Sequence, residues 1–302
     1  MTVARISEIG GEAFVFPAVD NLMLSARIYP GRESGAATVL CLHGLTRNGK
    51  DFDTLARRLS DRFQVVAPDQ RGRGRSAYDP DPANYNLFTQ SRDMWTLLDA
   101  LEIQRVAVVG TSMGALMGVV MANQQPDRIA GLVLNDAGPE VDPEGLARIR
   151  GYVGKTSAVG DWDAAADAVS SLHSTSYPTY GPEDWARMAR ATFIETGDEL
   201  RLDYDPNLTA ALDPNAVPPD MWPAFAVLKT IPTLVIRGAL SDILSAATVD
   251  RLVEQTGSKT VTVPDRGHAP DLSEAESIAA IDAFLASSEV RARFGQAVVA
   301  SD

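Results

Sequence analysis

Residues 106–118 constrain the fold of this chain more than any other stretch. An apolar, β-branched run ends in the motif Gly-x-Ser-x-Gly, and a small-residue pattern typical of a helix follows at once. This order predicts a buried strand that turns sharply into a helix, with Ser112 on the turn. A serine held there has a strained backbone and an exposed hydroxyl. Bulky residues in place of Gly110 and Gly114 would clash with the crossing strand and helix.

Strands and helices alternate on both sides of this motif. Apolar runs that predict buried strands, and amphipathic segments that predict helices, follow one another through the chain: strands at 37–42, 64–68, 129–135, 233–237 and 259–263, and helices at 52–59, 87–101, 246–254 and 273–285. Residues 12–30 alternate apolar and polar side chains, which predicts an antiparallel hairpin. Strands that are apolar on both faces and alternate with helices predict a parallel α/β sheet.

The alternation is interrupted between residues 139 and 225. This segment predicts several short helices with Pro- and Gly-rich breaks between them. It also contains three of the four tryptophans, which we expect to pack the segment together: Trp162, Trp185 and Trp222. The sequence therefore predicts a core domain of residues 1–138 and 226–302, with a helical cap of residues 139–225 inserted over the strand ends.

Composition narrows the class of partner. The 302 residues include 27 basic and 40 acidic side chains, a formal net charge of −13, whereas a phosphate backbone or an anionic membrane attracts basic surfaces. We therefore expect a small-molecule substrate, without nucleic acid or membrane. No apolar run is long enough to span a bilayer and the N-terminus has no signal-peptide pattern, so a cytoplasmic location is expected. The sequence leaves the oligomeric state open, and residues 289–302 are expected to be peripheral.

The single cysteine, Cys41, lies in an apolar strand pattern and is expected to be buried. One cysteine allows no intramolecular disulfide, and the Cys/His clusters of zinc sites are absent from the sequence. We expect neither a metal nor an organic cofactor.

Ser112 needs two partners to act as a nucleophile. A serine hydroxyl is a weak nucleophile near neutral pH, so it requires a base and a third group that orients the base. The chain has three histidines, His43, His173 and His268. His268 follows the last predicted strand, and functional groups of open α/β sheets collect at the carboxyl ends of strands. We predict His268 as the base.

Two aspartates end predicted strands and are candidates for the group that orients His268. Asp242 follows the strand at 233–237, and Asp136 follows the strand at 129–135. The loop of Asp242 precedes His268 by one strand-helix-strand unit, which favours Asp242 as the acid. Asp136 is its rival.

The chemistry-bearing motifs occur in a characteristic order: His43-Gly44, Asp69-x-Arg-Gly-x-Gly-x-Ser76, Gly110-x-Ser-x-Gly114, Asp242 and Gly267-His268. This set resembles the α/β-hydrolase superfamily, in which Ser, Asp and His follow one another at strand ends. The resemblance covers the chain apart from residues 139–225. It implies the α/β-hydrolase fold: a mostly parallel eight-stranded sheet, helices on both faces and an inserted helical cap. It also implies an oxyanion hole formed by the backbone amides of Leu45 and Met113.

Three further side chains allow two interpretations each. His43 is expected to support the oxyanion loop, with a direct substrate contact as the alternative. His173 is expected to be an ordinary surface or core histidine, and Arg47 a solvated arginine. A substrate contact is the alternative for both.

These features predict a serine hydrolase that cleaves a small, partly apolar carboxylic ester or lactone. Ser112 would attack the carbonyl, His268 would take and return the proton, and Asp242 would hold the imidazole tautomer. A carbon–carbon bond hydrolase of aromatic ring-cleavage products would use the same triad. A non-catalytic ligand receptor on this fold is an alternative of another class.

Overall fold

An eight-stranded sheet forms the centre of the molecule, whose computed structural model describes residues 10–154, 158–211 and 220–295. The strands are, in chain order, β1 (Glu12–Pro17), β2 (Met23–Tyr29), β3 (Thr38–Leu42), β4 (Gln64–Asp69), β5 (Val106–Thr111), β6 (Ile129–Asn135), β7 (Phe193–Thr196), β8 (Glu199–Leu202), β9 (Thr233–Gly238) and β10 (Lys259–Val263). The sheet has the order β1-β2-β4-β3-β5-β6-β9-β10, whereas β7 and β8 form a separate two-stranded sheet, and Leu200 of β8 also bridges to Val159. Within the eight-stranded sheet the pairs β1–β2 and β2–β4 are antiparallel and the others are parallel. The pair β7–β8 is antiparallel.

Helices cover both faces of the sheet. The α-helices of the described residues are, in chain order, α1 (Asp53–Leu59), α2 (Leu87–Ala100), α3 (Met113–Gln124), α4 (Pro143–Tyr152), α5 (Trp162–His173), α6 (Pro182–Thr192), α7 (Trp222–Phe225), α8 (Ala246–Thr256), α9 (Ala275–Leu285) and α10 (Ser288–Gly295). Val106 and Val108 of β5 belong to an apolar cluster with α2, α3 and α8, whereas Ala107 and Val109 pack with α1, α9 and α10. The predicted fold class is confirmed. No helix in the described ranges is long and apolar enough to cross a lipid bilayer.

The register of the parallel strands brings their carboxyl ends to one edge. Leu42 of β3 lies opposite Gly110 of β5, and Thr111 of β5 lies opposite Asn135 of β6. Asn135 in turn lies opposite Ile236 of β9. Residues that directly follow these strands are therefore neighbours in space although they are far apart in the chain.

The end of the described chain packs more closely than predicted. Val290 of α10 is fully buried in the cluster beneath the sheet, and Arg293 donates a hydrogen bond to the carbonyl of Ile129 at 2.9 Å. The expectation of a peripheral tail is therefore wrong for α10. Residues 296–302 lie outside the described residues.

The chain between β6 and β9, residues 139–225, is called here the inserted segment. It contains the helices α4 to α7, as predicted, and the hairpin β7–β8, which the sequence pattern did not predict. Trp162 and Trp185 pack against a small apolar cluster within the segment, as expected, but Trp222 packs against the main core together with Phe225.

Candidate active site

Ser112 occupies the sharp turn that the sequence predicts. It lies between β5 and α3 with φ 52° and ψ −119°, a left-handed conformation that non-glycine residues rarely adopt. A Cβ on Gly110 would lie 2.5 Å from the amide nitrogen of Ala115, and one on Gly114 would lie 2.0 Å from the carbonyl oxygen of Leu42. Both glycines are therefore required by space. The Ser112 side chain does not cap α3, so its hydroxyl is left for another partner.

That partner is His268, on the loop after β10. Ser112 Oγ lies 2.9 Å from Nε2 of His268, and Nδ1 of the same ring lies 2.8 Å from a carboxylate oxygen of Asp136. The carboxylate accepts a hydrogen bond from the Nδ1–H group, which leaves Nε2 to accept a hydrogen bond from the serine hydroxyl. The His268 side chain is 9% exposed and that of Asp136 is fully buried. The three side chains form one continuous hydrogen-bonded chain.

Asp136 is held in position by its surroundings. It follows β6 with φ 55°, and its amide donates to the carbonyl of Ile236 at 2.7 Å. Its carboxylate also accepts hydrogen bonds from the amide of Gly238 at 2.9 Å and from the hydroxyl of Ser241 at 2.6 Å. These donors, together with His268, fix the direction of the buried carboxylate.

Asp242, the residue favoured by the sequence, does not lie against His268. Its carboxylate is paired with Arg148 of α4 at 2.5 and 2.9 Å, and its side chain is 40% exposed. In the loop after β9, the hydroxyl of Ser241 accepts hydrogen bonds from the amides of Ile243 and Leu244. The resulting turn directs Asp242 towards the inserted segment. The prediction that Asp242 orients His268 is therefore wrong in this geometry, and Asp136 holds that place.

Asp242 is charged and forms an ion pair with the inserted segment. Burial raises the pKa of its carboxyl, but the hydrogen bonds from Arg148 outweigh burial and hold the pKa below its usual range. Asp242 is therefore ionised at neutral pH and forms an ion pair between the β9 loop and α4.

The loop after β3 lies against Ser112. A Cβ on Gly44 would be 3.7 Å from the Cβ of Ser112, so Leu45 follows directly beside the nucleophile. Met113 is the first residue of α3, where helix amides have no partner within the helix. The predicted oxyanion donors thus lie on the two segments that flank Ser112. Their role remains a prediction.

His43 supports the loop after β3, in agreement with the interpretation that the sequence favoured. The ring is fully buried, with Nδ1 2.8 Å from the carbonyl of Gly44 and Nε2 accepting the amide of Gln70 at 3.0 Å. Burial, and next the charge of Arg73, lower the pKa of His43 to about 3. A neutral ring with both nitrogens occupied holds the loop in one conformation.

The inserted segment contacts the loop of His268 directly. Tyr177 donates to the carbonyl of Ala269 at 2.6 Å, and the amide of Gly267 donates to the carbonyl of Ser176 at 2.7 Å. His173 lies one short turn before these residues, and its Nδ1 is buried with no hydrogen-bond partner in the described chain.

Two residues with open interpretations lie in this region. Burial, followed by the charges of Arg47 and Arg148, lowers the pKa of His173 to about 4, so its ring is neutral at neutral pH. Arg47 is not the freely solvated arginine that was expected, because its side chain is only 22% exposed, pairs with Asp51 at 2.6 Å and donates to Thr192 of α6. The expected reading of His173 is an ordinary surface or core histidine, and a substrate contact stays its alternative.

Within the described ranges, no group of three or more His, Cys, Asp or Glu side chains is arranged to hold a metal ion. The chemistry available at this edge of the sheet is that of a hydroxyl, an imidazole, a carboxylate and backbone amides. Such a set can activate a serine, transfer its proton and stabilise an oxyanion.

Known proteins share this architecture. A family model described as "alpha/beta hydrolase fold" matches residues 37–274. The chain is 34% identical to a 3-hydroxybutyrate-oligomer hydrolase from Cupriavidus necator, over 84% of this chain and 90% of that protein. It is 27% identical to a 2-(acetamidomethylene)succinate hydrolase from Mesorhizobium japonicum, over 92% of this chain and 98% of that protein. A crystal structure of an alpha/beta hydrolase from Novosphingobium aromaticivorans superposes with a TM-score of 0.86 at 42% identity, covering 91% of this chain and 97% of that chain. The chain therefore belongs to the α/β-hydrolase family and is a hydrolase.

Proposed function

We propose that this hydrolase cleaves small, partly apolar carboxylic esters or lactones, with Ser112 as nucleophile, His268 as base and Asp136 as the residue that orients the base. The observation that carries the proposal is the continuous hydrogen-bonded chain, with contacts of 2.9 Å and 2.8 Å, that ends at a serine on a strained turn. A buried carboxylate behind an imidazole selects the tautomer that a serine nucleophile needs.

The reaction proceeds through an acyl-enzyme. Ser112 Oγ bonds to the carbonyl carbon while its proton moves to Nε2 of His268, and the carbonyl oxygen becomes an oxyanion. The amides of Leu45 and Met113 donate hydrogen bonds to that oxyanion. The tetrahedral intermediate expels the alcohol, which takes the proton from His268. Water then repeats the sequence and releases the acid.

The relative from C. necator supports one substrate class in particular. Its name states that it hydrolyses oligomers of 3-hydroxybutyrate, which are esters between a hydroxyl and a carboxyl of short hydroxy acids. We therefore propose short hydroxy-acid ester oligomers as the first class of substrate, with simple esters and lactones as neighbouring classes.

We further propose that residues 139–225 form a cap that selects the substrate, on a core of residues 1–138 and 226–302. The contacts of Tyr177 with Ala269 and of Arg148 with Asp242 support this placement, because both tie the inserted segment to loops of the candidate site. Residues 155–157 and 212–219 of the segment lie outside the described residues.

A hydrolysis panel tests the proposal. Purified protein is assayed with hydroxybutyrate dimers and trimers, simple esters of graded acyl length, lactones and an aromatic ring-cleavage product. We expect ester turnover that falls by at least about a thousandfold in Ser112→Ala, because the nucleophile is lost. The control, Ser60→Ala at the end of α1, keeps full turnover. Ester turnover that survives in folded Ser112→Ala, or cleavage of the ring-cleavage product alone, would contradict the proposal.

A further inference from the structure

Arg73, in the loop after β4, is a buried cation with unusual partners. Its side chain is fully buried, and every hydrogen bond it makes goes to a neutral group. Nε donates to the carbonyl of Leu45 at 2.8 Å, and Nη1 donates to the carbonyl of Arg71 at 2.7 Å and to the side-chain oxygen of Gln90 at 2.9 Å. Nη2 lies 3.8 Å from the sulfur of Met113. No carboxylate of the described residues lies within ion-pair distance of this guanidinium.

The neighbouring Arg71 shows how this chain otherwise buries an arginine. Arg71 is equally buried, but its guanidinium is in contact with three carboxylates, those of Asp20, Asp79 and Asp93. Arg73 has no carboxylate in contact. The ring of Tyr85, whose centroid lies 5.6 Å from Cζ of Arg73, and the charge of Asp205 offset the burial only in part. Burial lowers the pKa of Arg73 to about 9, so it still carries its charge at neutral pH. A cation kept without a counter-ion contact works against folding, and such groups are concentrated at functional sites.

The contacts of Arg73 converge on the two segments that flank Ser112. One guanidinium edge holds the carbonyl of Leu45, and the other touches the side chain of Met113. The backbone amides of these same two residues are the proposed oxyanion donors. A residue that fixes both segments therefore controls the distance between the two donors.

We propose that Arg73 is a positioning residue of the oxyanion site. Its guanidinium fixes the positions of Leu45 and Met113 relative to each other and places a positive charge behind their amides. This inference rests on the proposed function. When Ser112 Oγ adds to the carbonyl carbon, one carbon–oxygen bond forms, the π pair moves to the carbonyl oxygen, and the serine proton passes to His268. Negative charge therefore grows at the oxygen only in the transition state, so Arg73 raises kcat more than it improves substrate binding.

The test compares Arg73→Gln and Arg73→Lys with wild type on an ester that wild type hydrolyses. Rates are expressed per active site, counted by titration with a fluorophosphonate. Losing one oxyanion donor outright costs about 100- to 1000-fold in rate, so misplacing the site in Arg73→Gln should lower kcat by about 10- to 100-fold. KM should stay within about threefold of wild type, and Arg73→Lys, which keeps the charge but not the planar fork, should recover part of the loss.

A second readout separates this role from a structural one. A boronic acid forms a tetrahedral adduct with Ser112 that mimics the oxyanion, so its affinity should fall in proportion to kcat/KM in each Arg73 variant. The affinity of the alcohol product should not change. Arg71→Lys is the matched control: it should lower the Tm, while kcat per active site stays within about twofold of wild type.

Wild-type kcat per active site together with wild-type boronate affinity in Arg73→Gln would overturn the inference. If Arg73→Gln does not fold, Arg73→Lys decides, and unchanged kcat and boronate affinity in that variant overturn it equally. Failure of the proposed function is distinguishable, because then wild type itself would show no Ser112-dependent turnover and no boronate adduct.

Discussion

Asp136 and Asp242 follow neighbouring strands, and they differ in what surrounds them. Asp136 is fully buried and accepts hydrogen bonds from His268, Gly238 and Ser241. Asp242 is partly exposed and is paired with an arginine of the inserted segment. A carboxylate orients an imidazole when it is rigid and free of a competing cation, so the surroundings favour Asp136 for that role.

The two residues are distinguished by matched substitutions. Asp136→Asn replaces the acceptor of the Nδ1 proton by an amide that favours the wrong tautomer, so kcat should fall by about 1000- to 10,000-fold. Asp242→Asn removes only the ion pair with Arg148 and should change kcat by less than about fivefold, since a partly exposed ion pair contributes little. Steady-state kinetics per active site measure both. The reverse ranking would return the role to Asp242.

At the level of elements, α4 packs directly against the loop after β9, which contains a hydrogen-bond donor to Asp136. A Cβ on Gly145 would lie 2.0 Å from the carbonyl oxygen of Asp242 and 2.7 Å from a methyl of Ile243. The same loop contains Ser241, which donates to Asp136. Position 145 is therefore glycine because the helix and the loop touch backbone to backbone.

A pair of glycine substitutions in α4 tests this contact. Gly145→Ala must displace the β9 loop or the helix, so it should lower the free energy of unfolding by about 1–3 kcal/mol. It should also reduce kcat/KM by about tenfold or more, because small displacements near a catalytic group are costly. Gly151→Ala adds a methyl where nothing lies within 4 Å and should be neutral or stabilising by up to about 1 kcal/mol. Urea unfolding and ester kinetics report both quantities, and equal behaviour of the two variants would refute the contact.

The elements that could be predicted from the sequence are those with a local signal. The buried strands and the turn at Ser112 depend on apolar runs and glycines within a few residues. The hairpin β7–β8 was missed because three of the four residues in β7 are exposed, so it lacks a buried apolar run. The packing of α10 was missed because it depends on Val290 meeting a core built from distant strands.

At the scale of the whole molecule, parallel register makes the site. Because β3, β5, β6, β9 and β10 end at one edge, the sequence could place Ser112, His268 and both aspartates there. It could not choose between the aspartates. Asp242 is drawn away by Arg148, which lies 94 positions earlier in the chain, and no local pattern encodes that contact. The nearness of the Asp242 loop to His268 in strand order was therefore a weaker guide to the orienting aspartate than the contact of Asp242 with the inserted segment.

The covalent acyl-enzyme is the most direct test of the central claim, that Ser112 activated by His268 and Asp136 carries the reaction. Enzyme is mixed with a short activated ester, quenched within milliseconds and weighed intact by mass spectrometry, followed by peptide mapping. We expect a transient mass increase equal to the acyl group, located on Ser112 and absent from Ser112→Ala. An acyl group on a different residue, or turnover by Ser112→Ala at the wild-type rate, would contradict it.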